Sequence, residues 1–309
     1  MDSIIIKDVV KKYGNQTVID NLNLNIKEGE FYCLMGPNGS GKTTLSSILA
    51  SVRVQNSGTV EIYGKKPSRA KDIIGYLPQE NFSDSSLTGK ENLMYFAGML
   101  GYKRKEALSV VNDLINKIGL TEDAGKRVSK YSGGMRKKLE LATILFPGKK
   151  VLILDEPTTG LDPSARRNFF GLIDLIKDET TTIILITHIG SDAEHASRVG
   201  LMSEGKIIAD GAPEELKNNS NLKNIINVET SIKNEKIREI LEGFNKEEKL
   251  QETDNGYKIY TNETTEVIPK IVRAVEGNGY KIIQIGSVIP SLEDVFFKLT
   301  GKPVRKVKE

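Results

Sequence analysis

The stretch that most constrains this chain is residues 36–44, which read Gly-Pro-Asn-Gly-Ser-Gly-Lys-Thr-Thr. Residues 30–35 before it are apolar enough for a buried parallel strand, and residues 44–50 after it are typical of a helix start. Glycines in such a loop let the backbone wrap closely around a phosphate, because no Cβ blocks the approach. A strand, a glycine-rich loop and a helix in this order therefore predict a phosphate-binding loop.

The side chains at the end of this loop add the chemistry of a nucleotide triphosphate site. Lys42 can reach the β- and γ-phosphates, and the hydroxyl of Thr43 can ligate Mg²⁺. The loop amides and the positive end of the helix dipole would point at the anion. The residues predicted to contact the nucleotide are Gly36, Pro37, Asn38, Gly39, Ser40, Gly41, Lys42, Thr43 and Thr44.

Length and composition narrow the class of protein. The chain has 309 residues, enough for one large domain or two ordinary ones, and a formal net charge of +3. Because the charge is nearly balanced, we expect no nucleic-acid partner. We also expect no signal peptide and no membrane helix, since no apolar run approaches the roughly 20 residues that a membrane helix needs. The single Cys33 is predicted to be a core residue of a cytosolic protein.

Two further candidate site residues lie next to predicted strands. Residues 3–27 contain two apolar segments around a turn at residues 13–16, which predicts an antiparallel hairpin. Tyr13 on this turn either stacks on a nucleobase or covers the hairpin, and the residues alone leave both open. Gln79 ends a short predicted strand, at the edge where ligands of α/β sheets bind. Its alternative role is an amide that caps a loop.

Residues 88–146 change character and are predicted to be helical. A capping box at residues 88–91 opens the first helix of this segment. Further along, Ser132 is placed as the N-cap of a helix that starts with Gly133 and Gly134. Two glycines at a helix start can form a second cluster of amides ready for an anion. The alternative interpretation is an ordinary capped helix.

Two buried strands end in polar residues. Residues 149–157 read as a buried strand that ends in Asp155 and Glu156, and burying unpaired carboxylates is costly. Asp155 is placed to hold Mg²⁺, and Glu156 to polarise an attacking water. The strand at residues 181–187 ends at His188, a candidate contact of the γ-phosphate, whereas His195 is expected at the surface.

Taken in this order, the motifs resemble those of the ATP-binding subunit of ABC transporters, from about residue 3 to residue 213. The resemblance implies an ATPase with ATP and Mg²⁺ as cofactors. It implies an α/β fold, in which a P-loop NTPase core with a RecA-like sheet carries an antiparallel β subdomain and a helical subdomain at about 88–146. The roles it implies are catalysis by Glu156, His188 and Lys42, stacking of adenine on Tyr13, metal binding by Thr43, Gln79 and Asp155, and nucleotide contacts from Ser132, Gly133, Gly134 and Asp162.

The resemblance also implies partners. The family signature is usually Leu-Ser-Gly-Gly-Gln, whereas residues 131–135 here read Tyr-Ser-Gly-Gly-Met, which leaves one polar contact in doubt. This variant and residues 290–296 resemble the corresponding sequences of the drug-export branch. The ATPases of that branch pair with a separate ABC-2-type permease. A homodimer or heterodimer of ATPase subunits on the cytoplasmic face of the membrane is implied. The alternative, a soluble ABC ATPase acting on nucleic acid or ribosomes, usually has coiled coils, tandem copies or basic arms, and none is visible.

The last hundred residues are predicted to form a separate accessory unit, with a domain boundary between residues 220 and 221. The pattern of strands and helices, in the order βαββαβα, predicts a small ferredoxin-like α+β domain. Its helix at residues 266–276 has Pro269 in the first turn, where proline is tolerated. The unit is predicted either to regulate or strengthen dimerisation or to act as a passive lid. The basic tail at residues 302–308 is predicted to be solvated.

Overall fold

This computed structural model describes residues 1–220, 224–244, 250–261, 263–288 and 290–304. The chain divides into two compact units, Met1–Gly211 and Ala212–Glu309. The first unit ends before the boundary predicted at residue 220, because the helix at Pro213–Asn219 belongs to the second unit. Among the described residues, no helix combines the length and the apolar character that crossing a membrane requires.

The first unit is built on two sheets. Its strands are β1 (Asp2–Tyr13), β2 (Gln16–Lys27), β3 (Phe31–Met35), β4 (Ser57–Ile62), β5 (Ile74–Leu77), β6 (Val151–Asp155), β7 (Thr182–Thr187), β8 (Arg198–Ser203) and β9 (Lys206–Gly211). The three-stranded sheet has the order β2-β1-β4 and is antiparallel, which confirms the predicted hairpin. The six-stranded sheet has the order β5-β6-β7-β3-β8-β9, and only β8 and β9 pair antiparallel.

Two of the helices of this unit begin at the predicted capping residues. The helices are α1 (Lys42–Leu49), α2 (Gly89–Met99), α3 (Arg104–Lys117), α4 (Gly133–Thr143), α5 (Pro163–Ile176) and α6 (Gly190–Ala193), with 3-10 turns at Pro67–Arg69, Lys71–Ile73 and Val128–Lys130. Thr88 and Glu91 form the predicted capping box of α2, and Ser132 caps α4 as expected. Helices α2 to α4 occupy the segment predicted to be helical.

The register of the parallel strands brings their carboxyl ends to one edge. Met35 pairs with Thr187, Leu77 pairs with Leu154, and Asp155 pairs with Ile186. The strands β3, β6 and β7 are buried along their whole length, as apolar runs of this kind predict. Segments that leave β3, β5, β6 and β7 therefore emerge side by side, in the crevice where α/β sheets bind their ligands.

The second unit has the predicted ferredoxin-like topology. Its elements are α7 (Pro213–Asn219), β10 (Ile225–Thr230), α8 (Glu235–Glu242), β11 (Gln251–Glu252), β12 (Gly256–Tyr260), α9 (Thr264–Gly277), β13 (Ile282–Val288) and α10 (Leu292–Thr300). The sheet order is β11-β12-β10-β13 with antiparallel pairs throughout. One face packs on α8 and α9 through a core that includes Ile226, Ile259 and Ile271.

One detail of this unit differs from the sequence-based expectation. Helix α9 begins at Thr264, because the amides of Glu266 and Val267 already donate to the carbonyl of Glu263. Pro269 therefore lies inside the helix and not in its first turn, where its missing N–H removes one helical hydrogen bond. Residues 305–308 of the predicted tail and Lys249 of a predicted strand lie outside the described residues, and Val304 is buried.

We expect the thiol of Cys33 to be unreactive in the folded protein. Cys33 is fully buried in β3, and burial raises the pKa of its thiol, whereas the thiolate is the reacting form. Modification by a disulfide reagent at pH 8 should be about 100-fold slower, or more, than in the urea-unfolded chain. Because the folded-state pKa is the higher one, this group should weaken folding as the pH rises above about 8.5. Equal rates in the two states would show that β3 is open.

A second expectation concerns two glycines of the second sheet. A Cβ on Gly256 would overlap the carbonyl oxygen of Val228 on the neighbouring strand, whereas a Cβ on Gly286 would meet nothing within 4 Å. Gly256→Ala should therefore weaken this unit by about 1–3 kcal/mol, and the control Gly286→Ala should change it little. Amide hydrogen exchange in β10 and β12 measures the effect without assuming two-state unfolding of the whole chain. Equal protection in both variants would contradict the expectation.

Candidate active site

The predicted phosphate loop lies between β3 and α1 and depends on its glycines. Gly39 and Gly41 have φ values of 83° and 107°, in the left-handed region that favours glycine. A Cβ on Gly36 would overlap the carbonyl oxygen of Met202 on β8. The N–H of Gly36 donates to the carbonyl of Thr187 over 3.3 Å, which ties the loop to β7. The sequence therefore folds this loop into a close turn whose amides line the start of α1.

Lys42 is a buried cation at the start of α1. Its side chain is 4% exposed, and its amine donates to the carbonyl of Pro37 over 2.9 Å. Burial lowers the pKa of Lys42, and the nearby carboxylates of Glu156 and Asp155 oppose this shift. The hydroxyl of Ser40 is buried without a hydrogen-bond partner among the described residues. The loop thus presents a buried cation and an unsatisfied hydroxyl, and both suit a phosphate ligand.

Asp155 at the end of β6 is bound to α1 by two hydroxyls. Thr43 Oγ1 donates to Oδ1 over 3.3 Å, and Ser46 Oγ donates to Oδ2 over 2.7 Å. Asp155 is fully buried, and this burial raises the pKa of its carboxyl, although the bonds from Ser46 and Thr43 oppose the shift. Sequence analysis missed Ser46. Its signal was its position three residues after Thr43, which places both hydroxyls on one face of α1.

Glu156 follows immediately and lies at the centre of a polar cluster. The amide of Gln79 donates to its Oε2 over 3.2 Å, and Thr159 Oγ1 donates to the same oxygen over 3.1 Å. His188 Nδ1 lies 3.1 Å from Oε1. The structure therefore brings the predicted residues Gln79, Glu156 and His188 into contact, and it adds Thr159, which sequence analysis missed.

The backbone and the charge of Glu156 are both unusual. Its φ of 48° places a non-glycine residue in the left-handed region, which costs about 1–3 kcal/mol. Burial opposes ionisation of the carboxyl, but His188 and Lys42 outweigh it and lower the pKa of Glu156. A carboxylate held ionised next to a phosphate-binding loop can accept a hydrogen bond from a water molecule and polarise it.

A second buried carboxylate lies behind this cluster, and sequence analysis did not predict it. Asp192 on α6 is fully buried and accepts a hydrogen bond from the hydroxyl of Thr158. Its Oδ1 lies 3.5 Å from Nε of Arg166 on α5, and its burial raises the pKa of the carboxyl. Asp192 therefore joins the segment after Glu156 to the segment after β7. His195, predicted to lie at the surface, is exposed and stacks on Phe170 with ring centroids 3.9 Å apart.

Of the remaining predicted residues, Ser132, Gly133 and Asp162 are exposed and Gly134 is half-buried. Ser132 and Asp162 cap α4 and α5, where their oxygens accept from the amides of their own helices. Gly133 and Gly134 begin α4, and a Cβ on Gly134 would lie 3.2 Å from the Cβ of Ala165 on α5. Hydrogen bonds from the amides of Ala165 and Ser164 lower the pKa of Asp162. In the described part of the chain, none of these four residues hydrogen-bonds to residues 36–44.

Tyr13 ends β1 and is also exposed. Its side chain is 39% exposed, and its hydroxyl accepts a hydrogen bond from Nη1 of Arg53 over 2.7 Å. The ammonium of Lys11 lies 5.1 Å from the ring centroid. The guanidinium carbon of Arg53 lies 5.3 Å from the same centroid. Two cations therefore lie over the partly exposed ring, and both stacking on a base and covering the hairpin stay open.

Two family models match the chain in succession. The model described as ABC transporter matches residues 19–159, and the model described as ATP-binding protein DrrA1-3-like, C-terminal domain, matches residues 211–300. A daunorubicin resistance ATP-binding protein from Streptomyces coeruleorubidus is 31% identical, over 94% of this chain and 92% of that protein. A Nod factor export ATP-binding protein I from Rhizobium sp. strain N33 is 31% identical, over 98% and 99% of the two chains.

Solved structures agree with these relatives. A dimeric ATP-binding cassette in a post-hydrolysis state, bound to ADP and Pi, superposes with a TM-score of 0.62 and 25% identity, over 68% of this chain and 98% of that chain. These matches confirm the P-loop NTPase core, the ATPase activity and the resemblance to drug-export subunits that the motifs predicted. The chain belongs to the ABC transporter family, as the ATP-binding and ATP-hydrolysing subunit of a transporter.

Proposed function

We propose that this chain drives export by hydrolysing ATP on the cytoplasmic face of a membrane, through a separate permease of the ABC-2 type. The relatives that support export are named for daunorubicin resistance, linearmycin resistance and Nod factor export. The observation that carries the ATPase part is the contact of Glu156 with both Gln79 and His188, beside the buried Lys42. The soluble alternative, acting on nucleic acid or ribosomes, is not favoured by these relatives.

The roles of the site residues follow from their chemistry. Lys42 and the amides of residues 36–44 would hold the phosphates of ATP, and Tyr13 would stack on the adenine. Glu156 would orient and polarise the attacking water, while His188 would contact the γ-phosphate. Because His188 lies beside Glu156, a movement of the γ-phosphate would change the surroundings of both side chains.

Mg²⁺ fits the oxygen atoms at the end of β6. Thr43 and Asp155 lie within hydrogen-bond distance of each other, and the amide of Gln79 donates to Glu156, the residue that follows Asp155. Among the described residues no group of three or more His, Cys, Asp or Glu side chains could hold a metal by itself. A site with one carboxylate and one hydroxyl suits Mg²⁺, which usually keeps waters and takes substrate phosphates as further ligands. Bound there, the ion would neutralise phosphate charge during hydrolysis.

A second copy of an ATPase subunit would complete the site. The start of α4 at Ser132, Gly133 and Gly134 is a capped helix start whose first two residues are exposed, and such a helix start can receive an anion. We infer that two subunits face each other head to tail, so that ATP on the Lys42 loop of one copy meets Ser132 and Gly134 of the other. Asp162 would line the same interface. The γ-phosphate charge would hold the two copies together until hydrolysis removes it.

Replacing the proposed water-polarising carboxylate should stop turnover without stopping binding. Glu156→Gln keeps the shape of the side chain but cannot act as a base, so ATP hydrolysis should fall by about 100-fold or more. ATP-dependent dimers should accumulate, because the phosphate that joins them is not cleaved. Glu122→Gln, an exposed glutamate of the first unit, is the matched control. Steady-state ATPase assays and size-exclusion chromatography with ATP provide the measurements. Parent-like hydrolysis by Glu156→Gln would exclude the role of this carboxylate.

Mixed dimers test whether sites are shared between subunits. Lys42→Ala removes the phosphate-binding cation from one subunit, and Ser132→Arg blocks the helix start of the other. If each site uses Lys42 of one copy and Ser132 of its partner, both lesions fall in one composite site and the second site stays intact. Mixing the two inactive variants should then restore up to about half of the parent activity in each mixed dimer. No recovery, with mixed dimers demonstrated by differently tagged subunits, would argue against shared sites.

A further inference from the structure

A buried carboxylate outside the site joins the loop after Gln79 to helix α4. Glu140 is 0% exposed and lies near the end of that helix. Its Oε1 accepts hydrogen bonds from the backbone amides of Phe82 and Ser83, over 3.2 and 3.4 Å, and from Ser83 Oγ over 2.8 Å. One carboxylate oxygen therefore satisfies three donors of a segment that begins only three residues after Gln79.

Two cations of the same helix complete the network. Lys137 Nζ lies 3.2 Å from Oε2 of Glu140 and is itself nearly buried. Arg136 Nε lies 3.5 Å from Oε1 and donates to Ser83 Oγ over 2.8 Å, while Nη2 donates to the carbonyl of Ser83 over 2.7 Å. Ser83 is thus held by both an acid and a base of α4, and the loop cannot shift along the helix without breaking several of these bonds.

Such a network specifies position more than it adds stability. Burying an ion pair costs desolvation that its attraction only partly offsets, and apolar residues of similar volume often serve stability as well. The ions instead fix the position of Ser83 relative to α4, because the charge-assisted hydrogen bonds to Ser83 depend on its distance and orientation. We therefore expect residues 81–83 and helix α4 to move together, as one body.

This body is connected to two residues of the proposed site. Gln79, two residues before it in the chain, contacts Glu156 through its amide. Ser132 caps α4 eight residues before Glu140, about 12 Å along a continuous helix. In the proposed dimer, Gln79 serves the ATP site of its own chain, whereas Ser132 faces the ATP held by the other chain.

We propose that Glu140 is a positioning residue that transmits occupancy of a chain's own ATP site, through Ser83, to its own α4, and so couples the two ATP sites of the dimer. The proposal rests on the proposed function for the arrangement of the dimer. The link itself lies within one chain, so it can be measured in a monomer.

The informative variant removes the ions and keeps the helix. Lys137→Met with Glu140→Leu replaces the pair by apolar side chains of similar volume, so α4 stays packed while the amides of residues 82 and 83 lose their acceptor. Glu140→Gln, which keeps the shape but not the charge, is the second variant if the first does not fold. Glu106→Gln, an exposed glutamate on α3, is the matched control.

Amide hydrogen exchange on full-length monomers is the decisive measurement. At a concentration where light scattering reports monomers only, a non-hydrolysable ATP analogue should slow exchange around residues 36–44, in residues 81–83 and in the first two turns of α4. In α4 the slowing should be about threefold or more in the parent and in Glu106→Gln. In the Lys137→Met/Glu140→Leu variant it should persist at residues 36–44 and be lost in α4. A purely structural residue would change the exchange of α4 equally with and without the analogue.

Three results would contradict parts of this proposal. An α4 that responds to the analogue as strongly in the variant as in the parent, or that does not respond in the parent, would overturn the proposed link. Failure of residues 36–44 to respond would instead overturn the nucleotide site, and the proposed function with it. In the dimer, the ATP dependence of hydrolysis should be sigmoidal in the parent and hyperbolic in the variant. A parent-like Hill coefficient in the variant would contradict coupling through Glu140 even if turnover falls.

Discussion

The carboxylate of Glu156 is the group on which the arrangement of this site depends. It is nearly buried, its backbone is in a disfavoured conformation, and three side chains from three different segments converge on it. An isolated buried carboxylate would take up a proton or disrupt the fold, so the partners are a condition for its charge. The ends of β5, β6 and β7 supply them, because parallel strands in this register release their next residues at one edge.

The sequence predicts most of this edge because its signals are local. Apolar runs of five or six residues mark β3, β6 and β7, and the polar residue that follows each run is placed by the end of the strand itself. Ser46, Asp192 and Glu140 escaped prediction for the opposite reason. Each is a polar residue inside a helix, where an exposed position is the ordinary expectation, and only packing against another element shows that it is buried.

Two boundaries in the structure differ from those predicted from the sequence. Pro269 was expected in the first turn of its helix, because proline in a sequence favours that position, but the backbone of α9 starts earlier with bonds to Glu263. The helix at Pro213–Asn219 belongs to the second unit, although the boundary was predicted between residues 220 and 221. Local propensity gives the type of an element reliably, whereas its first residue depends on backbone hydrogen bonds that the residue pattern does not fix.

The exposed start of α4 is explained by the solvation of its backbone amides. Amides at a helix start cost little while water solvates them, so a single chain need not pair Ser132, Gly133 and Gly134 with a ligand of its own. The buried loop at Lys42 differs, since its cation and the hydroxyl of Ser40 are removed from water. We expect a chain built in this way to bind phosphate more strongly at the Lys42 loop than at the start of α4. If two copies share one triphosphate, the start of α4 decides when they separate, because it holds the ligand only while the terminal phosphate is attached.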